Sequence, residues 1–342
     1  IYNNSAKIMF LTIMMSGTML SVSSTSWMSA WMGLEINLLA FIPLMTASNN
    51  LMSAEAALSY FLTQALASSV LLMTIIMSST KYSMMETQME SVMMMSALLL
   101  KLGAAPFHWW FPNVMEGLTW NNGLLLMTWQ KIAPLMLSST MMTATYINQM
   151  MTTSAIMSVM VGSIGGLNQT SLRKIMAYSS ITHMSWMLAA MAGNESLWSL
   201  YFMVYSLLTT NIVMMLKTVG VTQLNQLYSS MFSSNPLKFS IMMNLLSLGG
   251  LPPFLGFLPK LMVIQTLVTN HQMMTMTILT IMSLITLFFY LRMAHSAFML
   301  NYYETNWNYK QQHTSKKLTM LMMLSFISNS GLFSLSLVFM MM

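Results

Sequence analysis

The sequence predicts an all-α polytopic membrane protein with about eleven transmembrane helices, and two observations carry that prediction. Of its 342 residues, 56% are hydrophobic and only 6% are charged, whereas about 25% are charged in an ordinary soluble domain. Apolar stretches of the roughly 20 residues that cross a bilayer recur along the whole chain. This composition excludes a water-soluble globular protein. It also excludes a disordered chain, which needs low hydrophobicity and high charge.

Hydrophobic segments follow one another with only short polar connections between them. Even the longest connections, 218–237 and 299–317, are too small for a soluble domain. We therefore expect a single transmembrane domain over residues 1–342. The predicted segments are 6–22, 26–46, 57–78, 90–117, 122–139, 148–167, 173–192, 196–217, 238–268, 273–298 and 318–341.

The basic residues predict which way the segments cross the membrane. With the N-terminus inside, most Lys and Arg residues fall in inner loops or at inner helix ends, and only Lys81 falls outside. Inner loops of membrane proteins carry such an excess of basic residues, so this orientation is favoured, and an odd helix count puts the C-terminus outside. The inner group is Lys7, Arg173, Lys174, Lys217, Lys238, Arg292, Lys310, Lys316 and Lys317.

Two segments contain glycines and prolines that a simple spanning helix avoids. Segments 90–117 and 238–268 contain the related runs PFHWWFP (106–112) and PFLGFLP (253–259). Proline removes a backbone donor and breaks a helix, and irregular backbone survives in a bilayer only inside protein or beside water. The pair therefore predicts two broken helices in transporter-type inverted repeats, with breaks at Gly103–Pro106 and Gly249–Pro253. Two unrelated kinks are the alternative.

Four charged residues lie near the middle of apolar segments: Glu35, Lys101, Lys131 and Lys260. A charge at the centre of a membrane helix costs about 2.5–3.5 kcal/mol on insertion scales. We therefore expect all four side chains to face the interior of the helix bundle rather than lipid. The other acidic residues fall in loops or at helix ends, where solvation and capping explain them.

These four residues form a candidate proton relay. Removal from water disfavours the charged form of a lysine, and a neighbouring carboxylate favours it, so a Glu–Lys pair can act as a switch. A static buried ion pair is the alternative. That alternative uses Glu35 and one lysine, and it leaves two lysines without a mid-segment acid. Because imidazole both accepts and donates protons, His108 and His183 are further, weaker candidates; packing alone also explains them.

Other kinds of site are absent from the sequence. There is no cysteine, so no cysteine-ligated iron–sulfur cluster or disulfide can form. No His/Glu cluster has metal-ligand spacing, and no phosphate-binding or dinucleotide motif follows a strand. The thirteen basic residues are scattered, which argues against nucleic-acid binding. The 48 methionines exceed any packing need and indicate a genetic code that reads an isoleucine codon as Met, as in animal mitochondria.

Long stretches around the buried charges resemble one family. They are WMGLEINLLAFIPLM around Glu35, LLLKLGAAPFHWWFPNVMEGLTW around Lys101, TWQKIAPL around Lys131, GGLNQTSLRKIMAYSSITHMSWML, and LSLGGLPPFLGFLPKLMVIQ around Lys260. Together they resemble the chain 2 family of mitochondrial NADH:ubiquinone oxidoreductase, respiratory complex I, in an arthropod-like form. The resemblance covers essentially the whole chain.

The resemblance implies a function and site roles. Chain 2 is an antiporter-like subunit of the membrane arm, which moves protons across the mitochondrial inner membrane as electrons pass from NADH to ubiquinone. In this family a glutamate pairs with a lysine on the first broken helix. A second lysine or histidine on the following helix forms the middle of the path, and a lysine or glutamate on the second broken helix communicates with the far side. These roles fall on Glu35, Lys101, Lys131 and Lys260.

It also implies cofactors, partners and location. No cofactor is expected in this chain; NADH, FMN, iron–sulfur clusters and ubiquinone belong to other parts of the complex. The expected partners are other complex I subunits, including a second antiporter-like subunit and small membrane subunits, and lipids such as cardiolipin. In a mitochondrial protein the inner side, where we place the N-terminus, is the matrix, and the outer side is the intermembrane space. Antiporter-like subunits usually have fourteen helices, and animal chain 2 lacks three at the N-terminal side.

Two other functions remain open from the sequence. A stand-alone cation/proton antiporter would share the broken helices and the lysines, but it would exchange ions as a purified chain. A structural spacer of the membrane arm would hold neighbouring pump subunits, and its buried charges would be dispensable once assembly is preserved.

Overall fold

The structure, a computed structural model, describes residues 5–46, 50–79, 84–142, 145–193, 195–230, 235–299, 322–323, 325–326 and 328. In these ranges the secondary structure is helical, with one isolated antiparallel bridge between Ser171 and Gln223 and no longer β-structure. The all-α prediction is thus confirmed. The predicted last segment, 318–341, lies mostly outside the described residues, as does Lys81.

The chain divides into two compact units, Ile1–Ser158 and Val159–Met342, and each is described by itself. The predicted single domain over 1–342 stays a prediction. The first unit contains α1 (Ser5–Val22), α2 (Trp27–Met45), α3 (Leu51–Ser79), α4 (Met84–Leu102), α5 (Trp110–Gly117), α6 (Trp120–Met127), α7 (Trp129–Thr140) and the start of α8 (Thr145–Leu167). The second contains the end of α8 and then α9 (Leu172–Gly193), α10 (Glu195–Val219), α11 (Leu224–Ser230), α12 (Asn235–Gly249), α13 (Phe257–Thr269) and α14 (Met273–Met299).

Six of these helices contain stretches long and apolar enough to cross a membrane by length and composition: Ser5–Val22, Trp27–Met45, Leu51–Ser79, Thr145–Leu167, Ser196–Val219 and Met273–His295. Segments 90–117, 122–139 and 238–268 are divided into shorter helices, and segment 173–192 forms α9 with Arg173 and Lys174 at its start. The total of eleven stays a prediction, since most of segment 318–341 lies outside the described residues. Many serine and threonine hydroxyl groups in the spans donate to carbonyls of their own helices. Ser154 and Ser158, for example, donate to the carbonyls of Met151 and Ala155, as expected where water is scarce.

Glycines allow α1 and α2 to pack closely in the first unit. A Cβ added to Gly33 would lie 2.6 Å from the backbone nitrogen of Ser21, and one added to Gly17 would lie 2.9 Å from that of Asn37. Small residues of this kind let membrane helices approach to backbone contact. Ser26 caps the start of α2 by accepting a hydrogen bond from the backbone N–H of Ser29 at 3.3 Å.

Both segments with glycines and prolines are interrupted in the structure. In the first segment, α4 ends at Leu102 and α5 begins at Trp110. In the second segment, α12 ends at Gly249 and α13 begins at Phe257. Each first part is followed by a glycine in the left-handed region, Gly103 with φ 70° and Gly250 with φ 80°, a conformation that side chains with a Cβ disfavour.

The two interruptions keep one register, in which each position of the second lies 147 residues after its counterpart (249 − 102, 250 − 103 and 257 − 110). The N–H of Gly103 donates to Leu100 at 3.1 Å, and that of Gly250 donates to Ser247 at 3.1 Å. Pro112 and Pro259 occupy the same place in the first turn of α5 and α13. Proline is tolerated there because the N–H groups of a first turn have no partner within the helix.

The segment predicted at 122–139 is also divided, into α6 and α7. This division was not predicted from the sequence. The hydroxyl of Thr128 donates to the carbonyl of Leu124 at 2.8 Å, where the backbone N–H of Thr128 also donates at 3.0 Å. Such side-chain bonds compete with the regular helical pattern. Lys131 therefore lies in the first turn of a new helix rather than in the middle of a straight one.

Candidate functional site

Lys101 lies in the last turn of α4, where the first broken helix is interrupted. The side chain is buried, with 7% of its surface exposed. Two side chains donate to carbonyls of this last turn, which have no partners within the helix: Trp110 donates to Leu100 at 3.1 Å, and Gln64 approaches the carbonyl of Lys101 at 3.5 Å. The break therefore positions Lys101 among polar groups at the end of a helix.

Lys101 and Lys131 line the same cavity in the first unit. The cavity volume is about 20 Å³, which is enough for one water molecule. Its polar lining also includes Asn37, Gln64 and Gln130, and Gln130 donates to the side-chain oxygen of Asn37 at 3.0 Å. The remaining lining residues are Leu34, Leu38, Tyr60, Leu102, Trp110, Phe111, Leu126 and Pro134.

Lys131 is more deeply buried than Lys101, with 2% of its surface exposed. Its Nζ lies 5.0 Å from the centroid of the Phe111 ring. An ammonium at this distance from an aromatic face is stabilised by the ring quadrupole, and more so away from water. Phe111 belongs to α5, so the second half of the broken helix supplies part of the surroundings of Lys131.

Glu35 on α2 is half-buried and lies within electrostatic range of Lys101. One carboxylate oxygen, Oε2, is enclosed and accepts no hydrogen bond from the described part of the chain. Glu35 does not line the cavity between the two lysines. Glu35 is thus within electrostatic range of Lys101, and the predicted Glu–Lys pair stays a prediction.

Lys260 lies in α13, in the second unit, and is 7% exposed. Its Nζ donates to the carbonyl oxygen of Gly249 at 2.8 Å, which is the end of α12 across the second break. Nζ also lies 5.9 Å from the Trp186 ring. An open, mostly apolar groove of about 370 Å³ borders Lys260, with Trp186, Gly249 and Gly250 also in its lining. Carbonyls at a helix C-terminus carry partial negative charge, so they suit a buried cation.

Each of the two candidate histidines lies beside an aromatic side chain. His183 is buried in α9, where its Nδ1 is 2.9 Å from the Tyr201 hydroxyl and its ring lies 5.1 Å from that of Tyr205. His108 lies in the first break, beside the carbonyl of Pro106, with its ring 4.7 Å from that of Trp109. The roles of both histidines in proton transfer stay predictions. The predicted relay through the three lysines involves both units and also stays a prediction.

The amides that line the cavity were not predicted from the sequence. A signal was present, because Asn37, Gln64 and Gln130 are polar residues inside predicted apolar segments, as the buried lysines are. Because these amides are uncharged, the cost of placing a charge inside the membrane, which identified the lysines as candidates, does not apply to them. In the described ranges, no group of three His or Glu residues is placed to hold a metal ion.

Two family descriptions together match residues 24–339. Residues 24–286 match the transmembrane part of the NADH:quinone oxidoreductase/Mrp antiporter family, and residues 287–339 match the C-terminal part of NADH dehydrogenase subunit 2. NADH-ubiquinone oxidoreductase chain 2 of Anopheles gambiae is 50% identical over 97% of this chain and 98% of its own length. This chain belongs to the chain 2 family of NADH-ubiquinone oxidoreductase. The resemblance stated from the motifs is therefore confirmed.

Other members of the chain 2 family are nearly as similar. The chain 2 proteins of Aedes aegypti and Locusta migratoria are 48% and 45% identical, and the alignments cover 96% and 97% of this chain and 97% and 96% of theirs. The arthropod-like character of the sequence is thus confirmed, and membership of an animal chain 2 family agrees with the methionine-rich composition.

Solved structures share the fold. A chain of respiratory complex I from Thermus thermophilus superposes with a TM-score of 0.85 at 21% identity, over 96% of this chain and 78% of its own. A chain of the Mrp complex from Dietzia superposes with a TM-score of 0.70 at 16% identity, over 83% and 59%. These likenesses confirm an antiporter-like fold for the chain.

Proposed function

We propose that this chain is a core membrane-arm subunit of respiratory complex I and translocates protons across the mitochondrial inner membrane. Membership of the chain 2 family supports the complex and the membrane. The observation that carries the mechanism is the cavity of about 20 Å³ that Lys101 and Lys131 share. Proton transfer needs donors and acceptors joined by hydrogen bonds or by one or a few waters, and this cavity has room for such a water.

The chemistry follows from the groups around the cavity. A protonated Lys101 donates to a water in the cavity, and Lys131 accepts from that water and stores the proton beside Phe111. The amides of Asn37, Gln64 and Gln130 orient the water, because each offers both donors and an acceptor. An ionised Glu35 attracts a proton on Lys101, so a change in their separation changes how readily Lys101 releases it.

In the second unit we propose Lys260 as a further proton site, with His183 as a weaker one. The hydrogen bond from Lys260 to Gly249 holds the ammonium at the end of α12. Release of the proton to a water in the groove that borders Lys260 leaves a neutral amine, which can still donate to the carbonyl of Gly249. His183 and Tyr201 form a hydrogen-bonded pair that can pass a proton within the same unit.

We further propose the setting of the chain. Quinone chemistry elsewhere in the complex drives the Glu35–Lys101 switch through conformational and electrostatic change. NADH, FMN, iron–sulfur clusters and ubiquinone are bound by other parts of the complex. This chain forms one transmembrane domain. Its surface is covered by a second antiporter-like subunit, small membrane subunits and lipids such as cardiolipin. The N-terminus faces the matrix and the C-terminus faces the intermembrane space.

Substitution of Lys101 in the assembled complex tests the proposal. Lys101→Met keeps an apolar chain of similar length and removes the titrating group. A positioned proton donor commonly contributes about 10²–10⁴-fold to the rate of its step, so we expect this chain's share of proton pumping to be lost. Lys101→Arg should also impair pumping, because a guanidinium stays protonated. Lys7→Met, at an exposed position of α1, is the control and should pump normally.

The measurement is the number of protons moved per electron, with assembly of the complex checked in parallel. An assembled Lys101→Met complex with the original proton-to-electron ratio would show that the relay is wrong and that the chain is a spacer. Ion exchange by the purified chain in liposomes would instead identify a stand-alone antiporter.

A further inference from the structure

In each broken helix, a side chain of the second half donates a hydrogen bond to a carbonyl at the end of the first half. In the second, Nζ of Lys260 in α13 donates to the carbonyl of Gly249 at 2.8 Å. In the first, Nε1 of Trp110, the first residue of α5, donates to the carbonyl of Leu100 in the last turn of α4 at 3.1 Å. Both bonds join the two halves across the break, but the donor is a lysine in the second and an indole in the first.

The carbonyl of Leu100 accepts this bond in addition to a backbone bond. The N–H of Gly103 donates to Leu100 and the N–H of Ala104 donates to Leu99, both at 3.1 Å, in the pattern that commonly ends a helix at a glycine. A carbonyl oxygen has two lone pairs, so Leu100 can accept a second donor, and Trp110 supplies it. The indole bond therefore acts between the two halves of the broken helix rather than within α4.

The ring of Trp110 also reaches the surroundings of Lys131. Trp110 is buried and lines the cavity that Lys101 and Lys131 share. Its ring meets those of Phe111 and Tyr60 edge to face, with centroids 5.5 and 5.8 Å away, and the Phe111 ring lies 5.0 Å from Nζ of Lys131. One side chain thus contacts both the turn that bears Lys101 and the ring that lies against Lys131.

The small size of the cavity makes the distance between the two halves important. Its volume of about 20 Å³ has room for one water, and proton transfer passes along groups joined by hydrogen bonds or by one or a few waters. Lys101 lies on α4, while Phe111, which lies against Lys131, is on α5. If the halves moved apart, one water would no longer join both lysines.

We propose that Trp110 is a positioning residue for proton transfer between Lys101 and Lys131. Its indole N–H holds the two halves of the first broken helix at the distance at which one water serves both lysines. Because Trp110 closes this break, the side chain of Lys101 stays in the cavity, whereas Lys260 closes the second break itself. The proposal rests on the proposed proton-relay role of Lys101 and Lys131, but the closing of the break is tested separately from pumping.

Trp110→Phe in the assembled complex tests the proposal, because it removes the N–H and keeps an aromatic ring. Phenylalanine is compatible with a broken helix at this place, since the corresponding residue of the second break is Phe257 (110 + 147). Trp31→Phe is the matched control. The indole of Trp31 in α2 donates to the carbonyl of Ser68, also at 3.1 Å, and Trp31 lies outside the lining of the cavity. Each variant therefore loses one indole hydrogen bond in the first unit.

Two measurements are made on both variants. The first is backbone hydrogen exchange of residues 99–110, which reports opening of the break; we expect it to be at least about threefold faster in Trp110→Phe and unchanged in Trp31→Phe. The second is single-turnover proton uptake by the complex, which we expect to be about tenfold slower in Trp110→Phe, because a small misplacement of reacting groups is costly, and unchanged in Trp31→Phe.

Unchanged exchange of residues 99–110 in Trp110→Phe would show that the indole bond does not close the break, and would overturn the proposal. Faster exchange with normal proton uptake would show that the bond is only structural, which also overturns it. Equal slowing of proton uptake by the two variants would point to a general loss of packing and contradict a role specific to Trp110. Normal pumping by a Lys101→Met complex would refute the proposed function and leave the exchange result standing.

Discussion

The two broken helices share a register and differ in where the lysine lies. Lys101 precedes the first break and is in the last turn of α4, whereas Lys260 follows the second break and is in α13. In the common register, Lys101 corresponds to the buried Leu248, and Lys260 corresponds to the exposed Asn113 (101 + 147 and 260 − 147). The repeat therefore reproduces the backbone of the break but not the position of its charge.

This difference gives the two lysines different kinds of partner. Lys101 lies near the carboxylate of Glu35 and borders a cavity lined by amides. Lys260 donates to a backbone carbonyl at the end of a helix. A carboxylate can move or take up a proton, while the helix carbonyl changes only if the break itself changes. The first lysine is thus controlled by a neighbouring charge, and the second by the geometry of the break.

The largest difference between the breaks should appear at corresponding positions 109 and 256. A Cβ added to Gly256 would overlap the carbonyl oxygen of Ser247, and a backbone atom cannot move aside cheaply. The counterpart, Trp109, is 76% exposed. We expect Gly256→Ala to destabilise the chain by about 3 kcal/mol or more, and Trp109→Ala to change stability by about 0.5 kcal/mol or less. Thermal unfolding of the purified complex measures both; similar losses would show that the breaks are packed alike.

A smaller difference is expected at the two glycines with positive φ. Alanine at either Gly103 or Gly250 should cost about 1–2 kcal/mol from the left-handed backbone alone. At Gly250 the added Cβ would also lie 3.0 Å from both Cδ and Nζ of Lys260, whereas at Gly103 it would meet the aromatic side chains of Trp110 and Phe111.

Gly250→Ala should therefore displace Lys260 from Gly249 and strongly reduce pumping. Gly103→Ala should reduce stability and reduce pumping less, because it presses on Trp110 and Phe111 at the cavity rather than on a lysine. The measurements are the proton-to-electron ratio and thermal stability of the two variant complexes. If both variants pump equally well, the hydrogen bond to Gly249 does not control Lys260.

The smallest structural change is Glu35→Gln, which keeps size and hydrogen-bonding capacity and removes charge. Because Glu35 lies within electrostatic range of Lys101, we expect its loss to slow proton transfer through the cavity shared by Lys101 and Lys131 by about tenfold, equivalent to about 1.4 kcal/mol. Single-turnover proton uptake by the assembled complex would measure this. Glu55→Gln, at an exposed position of α3, is the control. An equal effect of the two variants would mean that general surface charge, rather than Glu35, acts on Lys101.

The class of protein and the positions of its helix breaks can both be predicted from the sequence alone. Hydrophobicity adds up along a local stretch, so segments of apolar residues predict membrane helices without knowledge of their neighbours. Gly103, Pro106, Gly250 and Pro253 act on the backbone where they stand, so the interruptions were predictable to within a few residues. The cost of a buried charge is likewise local, and it singled out Lys101, Lys131 and Lys260 before any helix was placed.

The groups that surround each lysine can be identified only from the tertiary structure. Asn37 and Gln130 are 93 residues apart and Gln64 and Lys101 are 37 apart, and they meet because of how the helices rotate and pack. Even the contact of Lys260 with Gly249, only 11 residues away, depends on the turn that the break makes. Which face of a helix meets which neighbour depends on packing summed over many side chains, and no local stretch of sequence carries that information.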